Sequence, residues 1–330
     1  MDATPIKGLV ALTGATGFIG QHLLRELPKR GYRVRVLLRR PEALPECDSA
    51  FVGDIRYPRN MSEALAGADF VIHSAGIAHA MSGVPEDDYR AINTKGTVQL
   101  AQAAKRAGVK RFVFLSSIRA QAGANAEGVL TEATEPLPTD SYGRSKLEAE
   151  QGLAELDIDW AALRAVLVYG PGVKGNMASL IRLARLPCPL PFGAFRGKRS
   201  LLSIDNLTDA IDTVLASPSP LRRPFIVADT DPLTIPETIA ALRDGLHRRP
   251  GVIHVPLPLL RSALKVARHP EWFDLLAGSR IADPSALMRL GWVPRLSAKN
   301  GLAALINKWP ARGATRAGID ATPRLLNSAR

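Results

Sequence analysis

The chain has 330 residues, 46% hydrophobic and 22% charged, which supports a sizeable core in one large α/β domain or two and excludes a disordered or fibrous polypeptide. Its net charge of +12 suits an Arg-rich soluble surface and polyanionic ligands such as nucleotide diphosphates; with scattered cations and 5% aromatics, no nucleic-acid platform is expected. Two cysteines, Cys47 and Cys188, form no disulfide framework or metal site, and no apolar run approaches the roughly 18 residues of a span, so a cytoplasmic protein with no metal and no stable membrane insertion is expected.

The apolar run Leu9–Leu12 leads into a glycine motif rather than a small-residue cleavage site, so it reads as a first strand and not a signal peptide. Thr13-Gly14-Ala15-Thr16-Gly17-Phe18-Ile19-Gly20 follows, and then the helical pattern QHLLRELPKRG. Strand, glycine turn and helix in that order form the start of a βαβ unit. The glycines let the backbone approach a pyrophosphate, and the helix start supplies free N–H groups and a positive dipole end.

Tyr32–Leu38 reads as a second strand. An NAD site usually has an acid at its end for the ribose hydroxyls, but here Arg39-Arg40-Pro41 follow. A guanidinium suits a 2′-phosphate, so NADP (as NADPH) is favoured over NAD, unless Arg39 is only a solvated strand end. Phe51–Ile55 is expected as a third strand, with Asp54 either accepting from the adenine amino group or capping a helix around Ser62–Ala66. Asp69–Gly76 reads as a fourth strand whose small end residues leave room for a cofactor, with His73 a structural residue. Residues 77–92 look irregular, a helix is expected to open at Asn93, and Arg111–Leu115 is a fifth strand ending at Ser116-Ser117. This alternation predicts an α/β fold of Rossmann type, a doubly wound parallel sheet.

Tyr142 and Lys146 lie four apart in Thr131–Glu150 and so share a helix face. A nearby ammonium favours phenolate, which would draw the Tyr142 pKa below its reference value of about 10. In doubly wound sheets ligands sit outside the carboxyl ends of the strands, where Ser116-Ser117 falls. Ser, Tyr and Lys together suit hydride transfer to or from a carbonyl: Ser holds the oxygen, Tyr moves the proton, and Lys tunes Tyr and grips the nicotinamide ribose.

The stretches TGATGFIG, GDI, HSAG, NTKGT, KRFVFLSS, YGRSK and VYGPG, spread over about residues 8–215, resemble the extended short-chain dehydrogenase/reductases of the NAD-dependent epimerase/dehydratase family. Within it the chain is similar to UDP-glucose 4-epimerases and to bacterial nucleotide-sugar 4-ketoreductases of surface-polysaccharide synthesis. The separation of 142 − 117 = 25 positions assigns the family's serine to Ser117 rather than Ser116, beside Tyr142 and Lys146. The resemblance implies cofactor contacts from Gly14, Thr16, Gly17, Phe18, Ile19 and Gly20, from Arg39, Asp54 and Ile55, and from Ser74, Ala75 and Gly76. It adds Asn93, Leu115, Tyr142, Lys146 and Val168. One departure stands out: the family often has Arg-Pro before its Val-Tyr-Gly-Pro motif, and here Arg164-Ala165 precedes Val168-Tyr169-Gly170-Pro171.

Asp159–Val168 is expected as a sixth strand, and the segment between Ser117 and Tyr142 as a substrate-facing loop. Asn176, where a helix opens, holds the nucleotide in the resembling epimerases, or is a helix N-cap. Arg199 matches the family's diphosphate arginine and Arg280 its second, more loosely; a guanidinium's paired donors suit a pyrophosphate. Asp205 reads as a cap. The apolar stretch in 252–276 is expected to pack as part of a substrate lobe rather than lie on a membrane surface. Leu290–Pro294 resembles a structural closing motif, and 311–330 reads as a disordered tail.

The expected organisation is a cofactor domain over 1–170 and a substrate lobe over 171–310, with 200–230 returning to the first. The expected function is reduction of a 4-keto UDP-sugar, with Ser117, Asn176, Arg199 and Arg280 on the substrate. The alternative is a UDP-sugar 4-epimerase holding NAD tightly. Further off are a non-sugar ketone reductase and a non-catalytic nucleotide sensor. By resemblance the chain forms a homodimer.

Overall fold

The computed structural model describes residues 6–41, 47–77, 83–266, 273 and 276–309. The tail expected over 311–330 lies outside the described residues. Strand β1 (Gly8–Thr13), helix α1 (Phe18–Glu26) and strand β2 (Tyr32–Leu38) form the βαβ start. Strand β3 is Asp48–Phe51, earlier than its sequence pattern suggests. Gly53 turns the chain with φ +73°, and Asp54 and Ile55 fall in the connection to α2 (Met61–Ala64) and β4 (Phe70–His73).

The next helix begins well before Asn93. Helix α3 (Glu86–Tyr89) passes through a π-helical stretch, Arg90–Lys95, into α4 (Gly96–Arg106), and Asn93 sits in the widened turn. Such insertions are frequent at functional sites. Strand β5 (Arg111–Ser117), the short β6 (Val129–Leu130) and helix α5 (Ser141–Ala154) follow. Asp140 caps α5 by accepting from the Gly143 N–H at 2.7 Å.

The single sixth strand expected over Asp159–Val168 is two. Strand β7 (Trp160–Ala165) lies in the main sheet; β8 (Leu167–Tyr169) leaves it and pairs with β10 (Leu201–Ser203), with β9 (Lys198–Arg199) just before the latter. At the break, the Val166 N–H donates to the Val227 carbonyl at 3.2 Å. Strand β11 (Arg223–Val227) completes a seven-stranded sheet of order β11-β7-β5-β4-β1-β2-β3, parallel throughout. The order reverses beside β1 and β4, which sets the ligand crevice at their carboxyl ends.

Alternating residues send side chains to opposite faces of a strand. Val10 and Leu12 pack with Leu23, Leu207 and Ile211 in one layer, and Ala11 with Leu100, Ala104 and Leu153 in the other. A further core joins Tyr169, Met177, Ile181, Leu242 and Leu302 from β8, α6 (Gly175–Ala184), α8 (Ile235–Gly245) and α11 (Ala298–Asn307). Helix α7 (Ile204–Ala216) is capped by Ser203, not Asp205, which pairs instead with His22 at 3.2 Å. In the closing motif, Trp292 is fully buried and its indole N–H donates to the Asn206 carbonyl at 3.2 Å.

Strands β12 (Leu233–Thr234) and β13 (Ile281–Ala282) pair with β9 and β6, and helix α10 (Ser285–Met288) follows β13. Helix α9 (Leu257–Val266) departs from the packing expected of it, because most of its described side chains are exposed. No helix among the described residues is long and apolar enough to cross a membrane.

Candidate active site

The crevice opens where the end of β1 meets the end of β4. Gly14 takes φ +72°, and a Cβ on it would lie 2.6 Å from the Ala75 nitrogen. A Cβ on Gly20 would lie 2.0 Å from the Gly14 carbonyl oxygen. Glycine is therefore required twice to seat α1 under the turn. Gly17 begins α1 without a side-chain cap, so first-turn N–H groups remain for an anion, with Thr16 and Gly17 exposed and Phe18 and Ile19 partly buried. This cradle fits a dinucleotide pyrophosphate. Ser74, Ala75 and Gly76 form the opposite lip, with the Ala75 N–H held on Thr13 Oγ1 at 3.2 Å.

Behind the lip, His73 is buried between Thr13, at 2.7 Å from Nδ1, and Thr97, at 3.0 Å from Nε2. Burial, then the Lys146 charge, pushes its pKa down to about 3, so it is a neutral structural ring. Asn93 is also buried and its amide is committed to the fold: it accepts from the Ile77 N–H at 2.9 Å and donates to the Ile77 carbonyl and Ser145 Oγ, each at 3.1 Å. It clamps the Gly76–Ile77 lip to α5. Arg39 is exposed past the end of β2 and lowers the Asp54 pKa, after the larger effect of Arg56, which pairs with Asp54 at 2.8 Å. Ile55 packs against Gly96, and Val168 is partly buried in β8.

Ser117, Tyr142 and Lys146 come together at the end of β5. The two adjacent serines are distinguished by their partners: Ser116 donates to Glu150, whereas Ser117 hydrogen-bonds the Tyr142 phenol and accepts from the Arg119 N–H at 3.1 Å. Lys146 is buried, with Nζ donating to the Leu115 carbonyl at 2.9 Å and lying 4.4 Å from the Phe114 ring centre. Its Nζ is 6.0 Å from the Tyr142 ring centre.

The electrostatics correct the expectation of a phenol made acidic by lysine. Burial pushes the Tyr142 pKa up, against the Ser117 hydrogen bond and the Arg119 charge that pull it down. Burial also pushes the Lys146 ammonium down to about 8, with Glu150 opposing. Both charged forms lose water, and burial is the largest cause of both shifts.

Three arginines approach the same mouth. The backbones of Arg199 and Arg280 form a bridge between β9 and the chain leading into β13. Arg280 donates to the Gly123 carbonyl at 3.1 Å, and Arg199 to Asn125 Oδ1 at 3.2 Å. Arg119, which the sequence reading passed over, pairs with Asp140 at the start of α5. Burial, then the Arg199 and Arg119 charges, pushes Arg280 down to about 9. The Nε atoms of Arg119 and Arg199 are buried without hydrogen-bond partners. Repelling cations with unused donors suit a multiply charged anion. Asn176 is exposed within the first turn of α6, whose N-cap is Lys174, so it is not that helix's cap. Arg196 is exposed.

Beneath α5, the sequence reading also missed Glu150. It accepts from Arg164 at 2.5 Å, both side chains being 4% exposed, and Arg164 also donates to Gln121. Its signal was its position four residues after Lys146, on the same helix face. Among the described residues, no group of three His, Cys, Asp or Glu side chains is placed to hold a metal.

Sheet order, glycine turn and these strand-end groups are those of an enzyme built on a dinucleotide-binding domain. A family model described as NAD dependent epimerase/dehydratase family matches residues 10–227. The chain belongs to that family. It is 37% identical over 309 residues to a Vibrio cholerae protein named UDP-glucose 4-epimerase, covering 88% of this chain and 92% of the relative. The solved structure of MoeE5 in complex with UDP-glucose and NAD is similar, with TM-score 0.71 and 26% identity, over 91% of this chain and 98% of that one. A Bacillus cereus UDP-N-acetylglucosamine 4-epimerase shares the fold at TM-score 0.75 and 17% identity, over 92% of this chain and 100% of that one.

Proposed function

We propose that the protein is a UDP-sugar 4-epimerase that keeps NAD bound through turnover. The observation that carries this reading is the 37% identity, across nearly the whole of both chains, to the Vibrio cholerae UDP-glucose 4-epimerase. A bound nicotinamide supplies the taking and returning of a hydride. Tyr142 takes the proton from the sugar's C4 hydroxyl and returns it to the same oxygen after the sugar has turned over. Ser117 holds that oxygen, and the Lys146 ammonium, fixed on the Leu115 carbonyl, offers its remaining donors to the nicotinamide ribose. Arg199 and Arg280, with Arg119 beside them, hold the diphosphate, and Asn176 reaches the nucleotide. The glycine turn, Asp54, Ile55, Ser74–Gly76 and Val168 line the cofactor, while Asn93 shapes its lip. A cytoplasmic homodimer pairing α4 and α5 across a two-fold belongs to the same reading, and a monomer in light scattering would remove that part.

A second reading, reduction of a 4-keto UDP-sugar by NADPH, is favoured by one observation: β2 runs into exposed Arg39 and Arg40 with no acid at its end. The measurement that separates the two is cofactor identity. Denaturing the purified protein and identifying the released nucleotide is expected to give NAD. An empty site whose protein prefers NADPH in titration would overturn the epimerase in favour of the reductase.

A further inference from the structure

Residues 123–126 run without helix or strand between Ser117 and Tyr142. Arg199 and Arg280 both donate to this one segment. Arg280 Nη1 donates to the Gly123 carbonyl at 3.1 Å. Arg199 donates from Nη1 to the Ala124 carbonyl at 3.4 Å and from Nη2 to Asn125 Oδ1 at 3.2 Å. The Ala126 N–H donates to the carbonyl of Ser279, next to Arg280 in the chain, at 2.9 Å. The Asn125 side chain lies against Gly278, where any Cβ would collide with it. Gly123 is packed on Thr139 at the foot of α5, where a Cβ would lie 2.8 Å from Thr139 Oγ1. The segment is thus a strap, fastened across the mouth by two guanidinium groups.

We infer that the diphosphate of the nucleotide displaces this strap, taking Arg199 from Asn125, so that the stretch between Ser117 and Tyr142 is released only once the nucleotide has docked. The inference rests on the reading of Arg199 and Arg280 as the diphosphate's partners. Competition follows from the donors. Arg199 Nε is buried, so a ligand meets this arginine at Nη1 and Nη2, the two nitrogens the strap engages. The strap's three acceptors are neutral oxygens. A pyrophosphate offers charged oxygens that guanidinium groups bind in pairs. It also relieves the repulsion among Arg280, Arg199 and Arg119, which carbonyls leave in place. An open cavity of about 680 Å³, lined by Asn125, Ala126, Glu127, Val129, Ser279 and Ile281, flanks the strap and gives it room to move.

The experiment is calorimetric titration of the full chain, with its cofactor, by UDP. Asn125→Ala is expected to raise UDP affinity about 3- to 10-fold, since the ligand has one hydrogen bond fewer to replace. Asn125→Asp fastens the strap with a charge and is expected to lower affinity by at least as much. Asn125 is exposed, so both variants are expected to fold, with Tm as the check. Were Asn125 only steadying Arg199 for the ligand, the Ala variant would bind UDP more weakly; that result, or no change, overturns the inference. Hydrogen exchange on the parent chain is a second readout that needs no variant. The Ala126 amide is expected to exchange faster in saturating UDP, and unchanged or slower exchange overturns the release. Arg280→Gln separates the two possible failures. Parental UDP affinity in that variant removes the arginines as diphosphate partners and the strap's release with them. Affinity lost there, with neither Asn125 effect nor faster exchange, refutes the strap alone.

Discussion

Replacing Glu150 with Gln removes a charge that acts on both Arg164 in the core and the Lys146 ammonium. In the core, Arg164 sits 2.5 Å from the carboxylate with both side chains 4% exposed. Gln leaves the guanidinium buried with only neutral acceptors, its own amide oxygen and that of Gln121, and stranding a buried charge costs about 3–5 kcal/mol. At an unfolding entropy of about 2 cal/mol/K per residue, a chain of this length loses roughly 4–7 °C in Tm. At the site, Glu150 opposes the burial that brings the Lys146 pKa to about 8. Lys146 is charged below its pKa. Removing the opposing anion lowers that pKa, so the alkaline limb of kcat/KM against pH moves to lower pH. Scanning calorimetry and a pH–rate profile read the two effects separately. Glu150→Leu paired with Arg164→Met is expected to recover most of the stability and leave the limb displaced, because the stranded charge is gone while the lysine still lacks its anion. A Tm within about 1 °C of the parent would refute the buried-pair argument. A limb that stays in place or rises would refute the coupling to Lys146.

Gly20→Ala is expected to cost about 1–3 kcal/mol and weaken nucleotide binding, since its Cβ would lie 2.0 Å from the Gly14 carbonyl oxygen; Tm and an NAD titration check both. Arg280→Gln relieves repulsion among three guanidinium groups, so Tm is expected to hold or rise while affinity for UDP falls about 10- to 100-fold, read by calorimetric titration. Tyr142→Phe is expected to fold and bind cofactor while losing about 10²–10⁴-fold in kcat, and a variant of parental activity would remove Tyr142 as the proton carrier.

The parts of the fold that were legible in the sequence are those fixed by neighbours in the chain. The glycine turn is set by the close approach of Gly14 and Gly20, six positions apart, and the Tyr142–Lys146 face follows from helix spacing alone. The boundaries that shifted are set by partners far away. Asp159–Val168 is one apolar run, but Ala165 pairs with Val227 in β11, while Leu167 pairs with Leu201 in β10, so the run divides at Val166. The helix expected at Asn93 starts earlier and widens there, and Asn93 is tied both to Ile77 and to Ser145. Arg119 escaped notice for the same reason: nothing in its neighbours along the chain distinguishes it from the exposed arginines, and its meaning appears only when the bridge between Arg199 and Arg280 brings two more cations to it.

The same distinction explains the reversed direction at Tyr142. Spacing along a helix shows that a lysine is near, and proximity alone predicts an acidified phenol. It does not show how much water the fold removes from both groups, and here the nearest partner of the lysine is the Leu115 carbonyl. Ser117, the last residue of β5, and Arg119, on the turn after it, are the groups that pull the phenol down. Burial therefore sets the direction at Tyr142 and the strand end opposes it, and Gly143 is where the strand end and α5 meet. A Cβ there would lie 2.3 Å from the Arg119 carbonyl oxygen, so the close approach of α5 to that turn depends on a glycine beside the tyrosine itself.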